Sequence, residues 1–304
     1  MAALTTFTEQ SLKRYLVMFG KGELITCEPV TSGIENSNYF VTLDDGSGPV
    51  AYVLTIVEHF DFEEAPFFNK LVSHLFQHGL PVAAPQSTLD GMSSTIFCGK
   101  PTFLQSRLEG SHSVVVNEDQ CFQIGAFLGN AHKALGSLKS TRVNPYDSDW
   151  MQNTLSWIAD RLSDAEKSQL TKLLDEYKRI EAMALPSGLI HGDLFRDNAL
   201  FDDQGKLTGV IDFYHACHDV LGLDIAIAIN DWCQLTTGQI DKALSATLIA
   251  GYEQVRPLEK EERQALVQLQ RTGAARFALT RFLSGEPPLK SPQAMLQLAE
   301  SLTV

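Results

Sequence analysis

The 304 residues are long enough for one large domain or two joined lobes, and to bury a sizeable core without covalent staples. A hydrophobic share of 44% with 20% charged residues is an ordinary globular balance, which excludes extended disorder, collagen and a dedicated coiled coil. Thirty-seven acidic against 24 basic residues give a formal charge of -13; this disfavours non-specific binding to nucleic acid, although a local basic patch or a bound cation can still hold an anionic substrate.

The elements follow in chain order. Leu12, Tyr15, Leu16 and Phe19 have helical spacing within residues 8–19, and Gly20 and Gly22 punctuate the chain after them. Residues 38–43 and 50–57 are rich in β-branched and aromatic side chains. Asp44-Asp45-Gly46-Ser47-Gly48 between them supplies turn chemistry, so the pair reads as a hairpin. Residues 62–78 read as a helix that tolerates Pro66 in its first turn and ends at Gly79. Residues 94–97 and 102–107 read as short strands around a Gly99–Lys100 turn.

After about Leu108 the texture becomes helical. Helices are expected over 121–135, from the Ser163/Glu166 capping pair to about 183, and over 223–232, 240–252, 259–283 and 292–302. An apolar strand leads into His191-Gly192-Asp193, and a hairpin is expected near 199–211. The organisation expected is a small antiparallel-sheet lobe, residues 1–107, and a larger helical lobe, residues 108–304.

Five cysteines at irregular spacing, with no Cys-x-x-Cys pair, suit a reducing compartment. The N-terminal stretch lacks an uninterrupted signal-like apolar segment, and no segment approaches 18 uninterrupted apolar residues. A cytoplasmic protein is expected, with neither membrane nor nucleic-acid polymer among its partners. No oligomeric state is implied.

The strongest chemical signal is Leu189-Ile190-His191-Gly192-Asp193-Leu194-Phe195-Arg196-Asp197-Asn198-Ala199-Leu200-Phe201, followed by Leu207-Thr208-Gly209-Val210-Ile211-Asp212-Phe213. A hairpin after Asn198 brings Asp212 back beside it, with Asp193 on the preceding loop. Phosphoryl transfer needs an aligned hydroxyl and hard oxygen ligands for a divalent cation that bridges phosphates. Asn198 and Asp212 offer such ligands, and Asp193 can orient a hydroxyl and accept its proton. Asn five residues after Asp is the spacing of a kinase catalytic loop. His191 reads as a buried tether of that loop, and Asp224 as a helix cap or loop brace.

With these motifs, and with Gly33-Ile34-Glu35-Asn36-Ser37-Asn38-Tyr39-Phe40, Asn144-Pro145-Tyr146-Asp147 and Asn230-Asp231-Trp232-Cys233, nearly the whole chain resembles the aminoglycoside phosphotransferase/choline kinase-like family, in particular its type II homoserine kinases. The resemblance implies an α+β, protein-kinase-like two-lobe fold. It implies ATP as phosphoryl donor, Mg²⁺, and L-homoserine as acceptor, with O-phospho-L-homoserine as the product in threonine biosynthesis. Asp193 then takes the catalytic-base position, and Asn198 and Asp212 the metal positions. The first lobe becomes nucleotide-binding, the second catalytic and acceptor-binding. Another small hydroxyl-bearing acceptor, such as choline, ethanolamine or an aminoglycoside, is the alternative.

Ser32, Gly33, Asn36 and Ser37 lie where a kinase places its phosphate-covering turn, although the segment is neither Gly-x-Gly-x-x-Gly nor a P-loop. Two departures are plain. Thr55 stands where the superfamily commonly has the third-strand lysine, so no Lys–Glu pair forms with Glu63 or Glu64. The residue after Asp212-Phe213 is Tyr214 rather than Gly, so a protein-kinase activation segment is not implied. For the acceptor, Asp231 suits the ammonium or bridges helices, Trp232 forms an apolar wall or core, and Arg196 meets phosphate or carboxylate or fixes a loop carboxylate. His215, Cys217, His218 and Asp219 invite a zinc or iron reading, against ordinary packing and loop hydrogen bonds.

Overall fold

The computed structural model describes residues 5–30, 36–58, 62–284 and 291–303. They gather into two compact units, 1–109 and 110–304.

The first unit begins with α1 (Glu9–Leu16), capped by the Thr8 side chain on the Ser11 N–H, and a 3₁₀ turn that closes on left-handed Gly20. A five-stranded antiparallel sheet follows in the order β1 (Glu23–Pro29), β2 (Ser37–Asp44), β3 (Pro49–Ile56), β5 (Lys100–Ser106), β4 (Thr95–Phe97). The β2–β3 hairpin turns where the Asp-Asp-Gly-Ser-Gly run lies. β2 alternates buried and half-exposed residues along its whole length. Tyr39, Val41, Leu43, Leu54 and Ile56 pack with Leu12, Tyr15 and Phe19 of the N-terminal helix into one core. α2 (Ala65–Gln77) carries Pro66 in its first turn, where no hydrogen bond is lost.

β1 is an addition to the sequence reading. It is an edge strand whose residues are mostly exposed, and a bulge at Ile25 breaks its register. Little hydrophobic alternation therefore marks it.

The second unit contains α3 (Glu118–Leu135), α4 (Ser148–Trp157), α5 (Asp164–Glu181), α6 (Leu221–Trp232), α7 (Lys242–Glu253), α8 (Lys260–Ser284) and α9 (Pro292–Ser301). The capping box expected at Ser163 and Glu166 is present, and Asn117 with Gln120 forms another at the start of α3. α3 and α7 cross at glycines: a Cβ on Gly125 would lie 1.9 Å from the Leu248 carbonyl oxygen, and one on Gly251 would lie 2.1 Å from that of Phe122. Every residue of α6 is buried. α4 and the strand β9 (Cys217–Val220), which pairs with β6 (Ser187–Ile190), were not expected from the sequence. β7 (Ala199–Phe201) and β8 (Leu207–Val210) form the expected hairpin. Among the described residues no helix is long and apolar enough to cross a membrane.

Candidate active site

The His191–Asn198 loop leaves the end of β6 and is held from beneath by α6. Asp224 and Asp231 are seven residues apart, two turns of helix, so they share one face about 10 Å apart along the axis. Asp224 grips the start of the loop: Oδ2 accepts the His191 N–H and Oδ1 the Gly192 N–H, both at 2.8 Å. Asp231 grips it further on, accepting the Arg196 N–H at 2.8 Å and the Arg196 Nε–H at 3.1 Å. Between them the Trp232 indole N–H donates to the Leu194 carbonyl at 3.0 Å. From α8, Arg276 donates to the Gly192 carbonyl at 2.6 Å. The loop's main chain is thus fixed by buried side chains of two helices. Gly192 is required at this point, because its φ is +75° and a Cβ would meet the His215 carbonyl oxygen at 3.0 Å.

Asp224 is 1% exposed. Burial pushes its pKa up, but hydrogen bonding and charge from His132 and the Gly192 N–H outweigh this and hold it below the usual carboxylate range. The support continues outward. His132 Nε2 lies 2.9 Å from Asp224, and its Nδ1 lies 2.9 Å from the Tyr252 hydroxyl. Arg256 donates to that hydroxyl and pairs with Glu262 through two further bonds. Burial raises the Tyr252 pKa to about 12, so the hydroxyl keeps its proton.

His191 acts as the tether that the sequence suggests. Burial pushes its pKa down to about 4, so the ring is neutral near pH 7. Nε2 lies 3.0 Å from the Ile211 carbonyl and Nδ1 receives the Asp193 N–H at 3.2 Å. The ring therefore links the Asp193 segment to the chain entering Asp212.

The three oxygen-bearing residues converge. Asn198 Nδ2 donates to the Asp193 carbonyl at 2.8 Å and to Asp193 Oδ2 at 3.2 Å. That fixes the amide's orientation and leaves its carbonyl oxygen as the end directed away from Asp193. The Ile211 N–H bonds to the Asn198 carbonyl at 3.0 Å, which sets Asp212 beside Asn198 at the mouth of the β7–β8 hairpin. Asp212 itself is left-handed, with φ 63° and ψ 62°. A non-glycine residue held there costs on the order of 1–3 kcal/mol, and such outliers cluster at functional sites. His215 Nε2 stands 4.0 Å from Asp193 Oδ2. A carboxylate and an amide carbonyl are hard oxygen donors, so the chemistry of this pair fits a Mg²⁺ ion.

The remaining expected residues fall differently. Trp232 is 1% exposed and spends its N–H on the loop, so it lies in the core beneath the site and forms no open acceptor wall. Arg196 and Asp231 pair with each other, so the carboxylate that Arg196 meets is on α6, and Asp231 ties that helix to the loop. Ser37 is buried at the start of β2: its hydroxyl donates to Glu58 and accepts from the Thr5 N–H, while Asn36 Oδ1 accepts the Glu58 N–H. These two side chains are thus turned toward Glu58 rather than outward toward phosphate. Ser32 and Gly33 lie outside the described residues. Thr55 donates to Asn38 Oδ1 at 2.7 Å across the β2–β3 pair. Asp219 accepts from Asn144 and Tyr177, and no group of three or more His, Cys, Asp or Glu among the described residues is placed to hold a metal ion. All five cysteines are free thiols. His132 and Arg276 were missed by sequence reasoning; His132 sits in the helix expected over 121–135, whose spacing gives no sign of its partner.

The phosphotransferase enzyme family matches residues 26–258 of this chain. The homoserine kinase of Neisseria meningitidis serogroup B (strain MC58) is 36% identical over 99% of this chain and 100% of its own length. The chain belongs to the phosphotransferase enzyme family, among its homoserine kinases. The homoserine kinase of Methylobacillus flagellatus is 37% identical over 92% of this chain and 86% of its own length. Of solved structures, an amicoumacin kinase in complex with AMP-PNP, Ca²⁺ and Ami superposes with a TM-score of 0.74 at 16% identity, covering 97% of this chain and 92% of its own. That likeness establishes the protein-kinase-like α+β fold of the family.

Proposed function

We propose that this chain transfers the γ-phosphoryl group of ATP to the hydroxyl of L-homoserine, giving O-phospho-L-homoserine and ADP. The reading is carried by the near full-length similarity to homoserine kinases at 36–37% identity, joined to the Asp193–Asn198–Asp212 convergence. The product places the enzyme in threonine biosynthesis, and the cytoplasm is the fitting compartment.

In this reading Asp193 orients the homoserine hydroxyl and accepts its proton as the O–P bond forms. Its carboxylate is held by Asn198, and its main chain by His191. Asn198 and Asp212 would hold Mg²⁺, which would offset the negative charge of the phosphates. Residues 1–107 form the nucleotide-binding lobe. Residues 108–304 form the catalytic and acceptor lobe. Arg196, Asp231 and Trp232 act by positioning the loop that carries Asp193.

Purified protein with ATP, Mg²⁺ and a panel of homoserine, choline, ethanolamine and aminoglycosides tests the reading. Homoserine-dependent ADP release with a product of phosphohomoserine mass is expected. Strong turnover of another acceptor, with no phosphohomoserine formed, refutes it.

A further inference from the structure

We propose that Arg281 binds the carboxylate of the acceptor amino acid, and so selects acceptors that carry one. The proposal rests on homoserine as acceptor and deepens that reading.

The last turns of α8 pass along the catalytic loop. Arg276 holds the Gly192 carbonyl, and the Phe277 ring packs against Phe195 of the loop with centroids 4.6 Å apart. Arg281 lies one turn on, and its guanidinium carbon is 5.4 Å from the Phe277 centroid. Phe277 thus neighbours both Phe195 and Arg281.

The neighbouring arginines are committed. Arg196 spends its Nε–H on Asp231, while Arg276 spends its terminal nitrogens on Gly192 and His215. Arg276 leaves only its inner Nε without a partner, whereas in Arg281 a terminal nitrogen, Nη1, is buried and donates no hydrogen bond. Leaving a guanidinium nitrogen desolvated without an acceptor is costly. The charges acting on Arg281 come from Asp193, Asp231 and Asp197, which partly oppose the effect of burial on it. A cation with unused donors, among carboxylates, beside the residue that receives the hydroxyl, is complementary to a zwitterion.

Homoserine is such a zwitterion. Four bonds of about 1.5 Å separate its hydroxyl oxygen from the carboxylate carbon, a span of roughly 5 Å when extended. A hydroxyl at Asp193 therefore leaves the carboxylate a short distance along the loop, where a planar guanidinium can take it through two parallel hydrogen bonds.

Steady-state kinetics of wild type, Arg281→Gln and Arg281→Lys on two acceptors test this. One is L-homoserine; the other is 3-aminopropan-1-ol, which is homoserine with hydrogen in place of the carboxylate. In Arg281→Gln, kcat/KM for homoserine should fall about 10–100-fold, chiefly through KM, from the loss of a charge-assisted pair. The value for 3-aminopropan-1-ol should fall far less, so the wild-type preference collapses. Arg281→Lys, which keeps the charge but not the fork, should fall between and supplies the test if the glutamine variant does not melt as a folded protein. An unchanged preference in a folded variant, or a rise in KM for ATP in place of homoserine, overturns the proposal alone. Absence of homoserine turnover by the wild type overturns the acceptor reading and this proposal with it.

Discussion

Two carboxylates, one in each unit, gather donors in opposite ways. Glu58, just beyond β3, is bonded by the side chains of Lys100, Ser37 and Thr5. Partial burial pushes its pKa up, but these donors pull it down to about 2. Lys100 remains substantially open to water, with 38% of its side chain exposed. Asp224 is wholly buried and accepts two main-chain N–H groups and His132. Water can reach and replace Lys100 at the first. Nothing can replace the partners of the second, and these include the main chain of the loop that carries Asp193. The same chemical group fastens strand ends in one unit and sets the geometry of the proposed reaction in the other.

Removing each anchor measures that difference. Asp224→Ala strands two buried N–H groups and a histidine, so unfolding in urea should show a loss of about 3–5 kcal/mol. Turnover of whatever protein remains folded should also fall. A loss below 1 kcal/mol would put Asp224 on a par with a surface residue and remove the contrast.

Acid should undo the loop next. The folded pKa of His191, about 4, lies below its ordinary 6.5, so between these values the unfolded chain binds the extra proton. Its contribution is fully present above pH 6.5 and is lost as the pH falls toward 4, on the order of 3 kcal/mol. Chemical denaturation across that window should be flatter for His191→Asn than for wild type; equal slopes would contradict the buried neutral ring.

Trp232→Phe removes only the N–H that meets Leu194 and some core volume. A loss of about 1–3 kcal/mol is expected, with KM for homoserine changing less than kcat if Trp232 acts through the loop. A selective rise in that KM would restore it to the acceptor pocket. At the small end is the pair in the first unit. A double-mutant cycle on Glu58→Gln and Lys100→Met should give a coupling of about 0.2–1 kcal/mol that shrinks with added salt.

The grouping of Asp193, Asn198 and Asp212 was legible because its spacing is local. A five-residue step from Asp193 to Asn198 and one hairpin to Asp212 suffice to bring the oxygens together. Its foundation was less legible, since Asp224 meets amides 32 and 33 residues away and Trp232 reaches back 38. Only the placement of α6 reveals those pairings. The same distance explains why the sequence left Trp232 open between pocket wall and core: an aromatic beside Asp231 has one spelling whether it faces substrate or core. β9 was hidden because its pairing with β6 is similarly remote. α4 did carry a signal, the Asp147 cap before Trp150 and Met151, which accepts the Trp150 N–H at 2.8 Å.

The central claim is that α6 and His191 hold Asp193 as the group that receives the acceptor's proton, separately from the metal ligands. Single-turnover phosphoryl transfer to homoserine by Asp193→Asn, with Mg²⁺–ATP affinity measured independently on the same folded protein, tests it most directly. The transfer rate should fall about 10²–10⁴-fold while nucleotide affinity changes little. Near-wild-type transfer, or lost nucleotide binding with an unchanged rate at saturation, would contradict it.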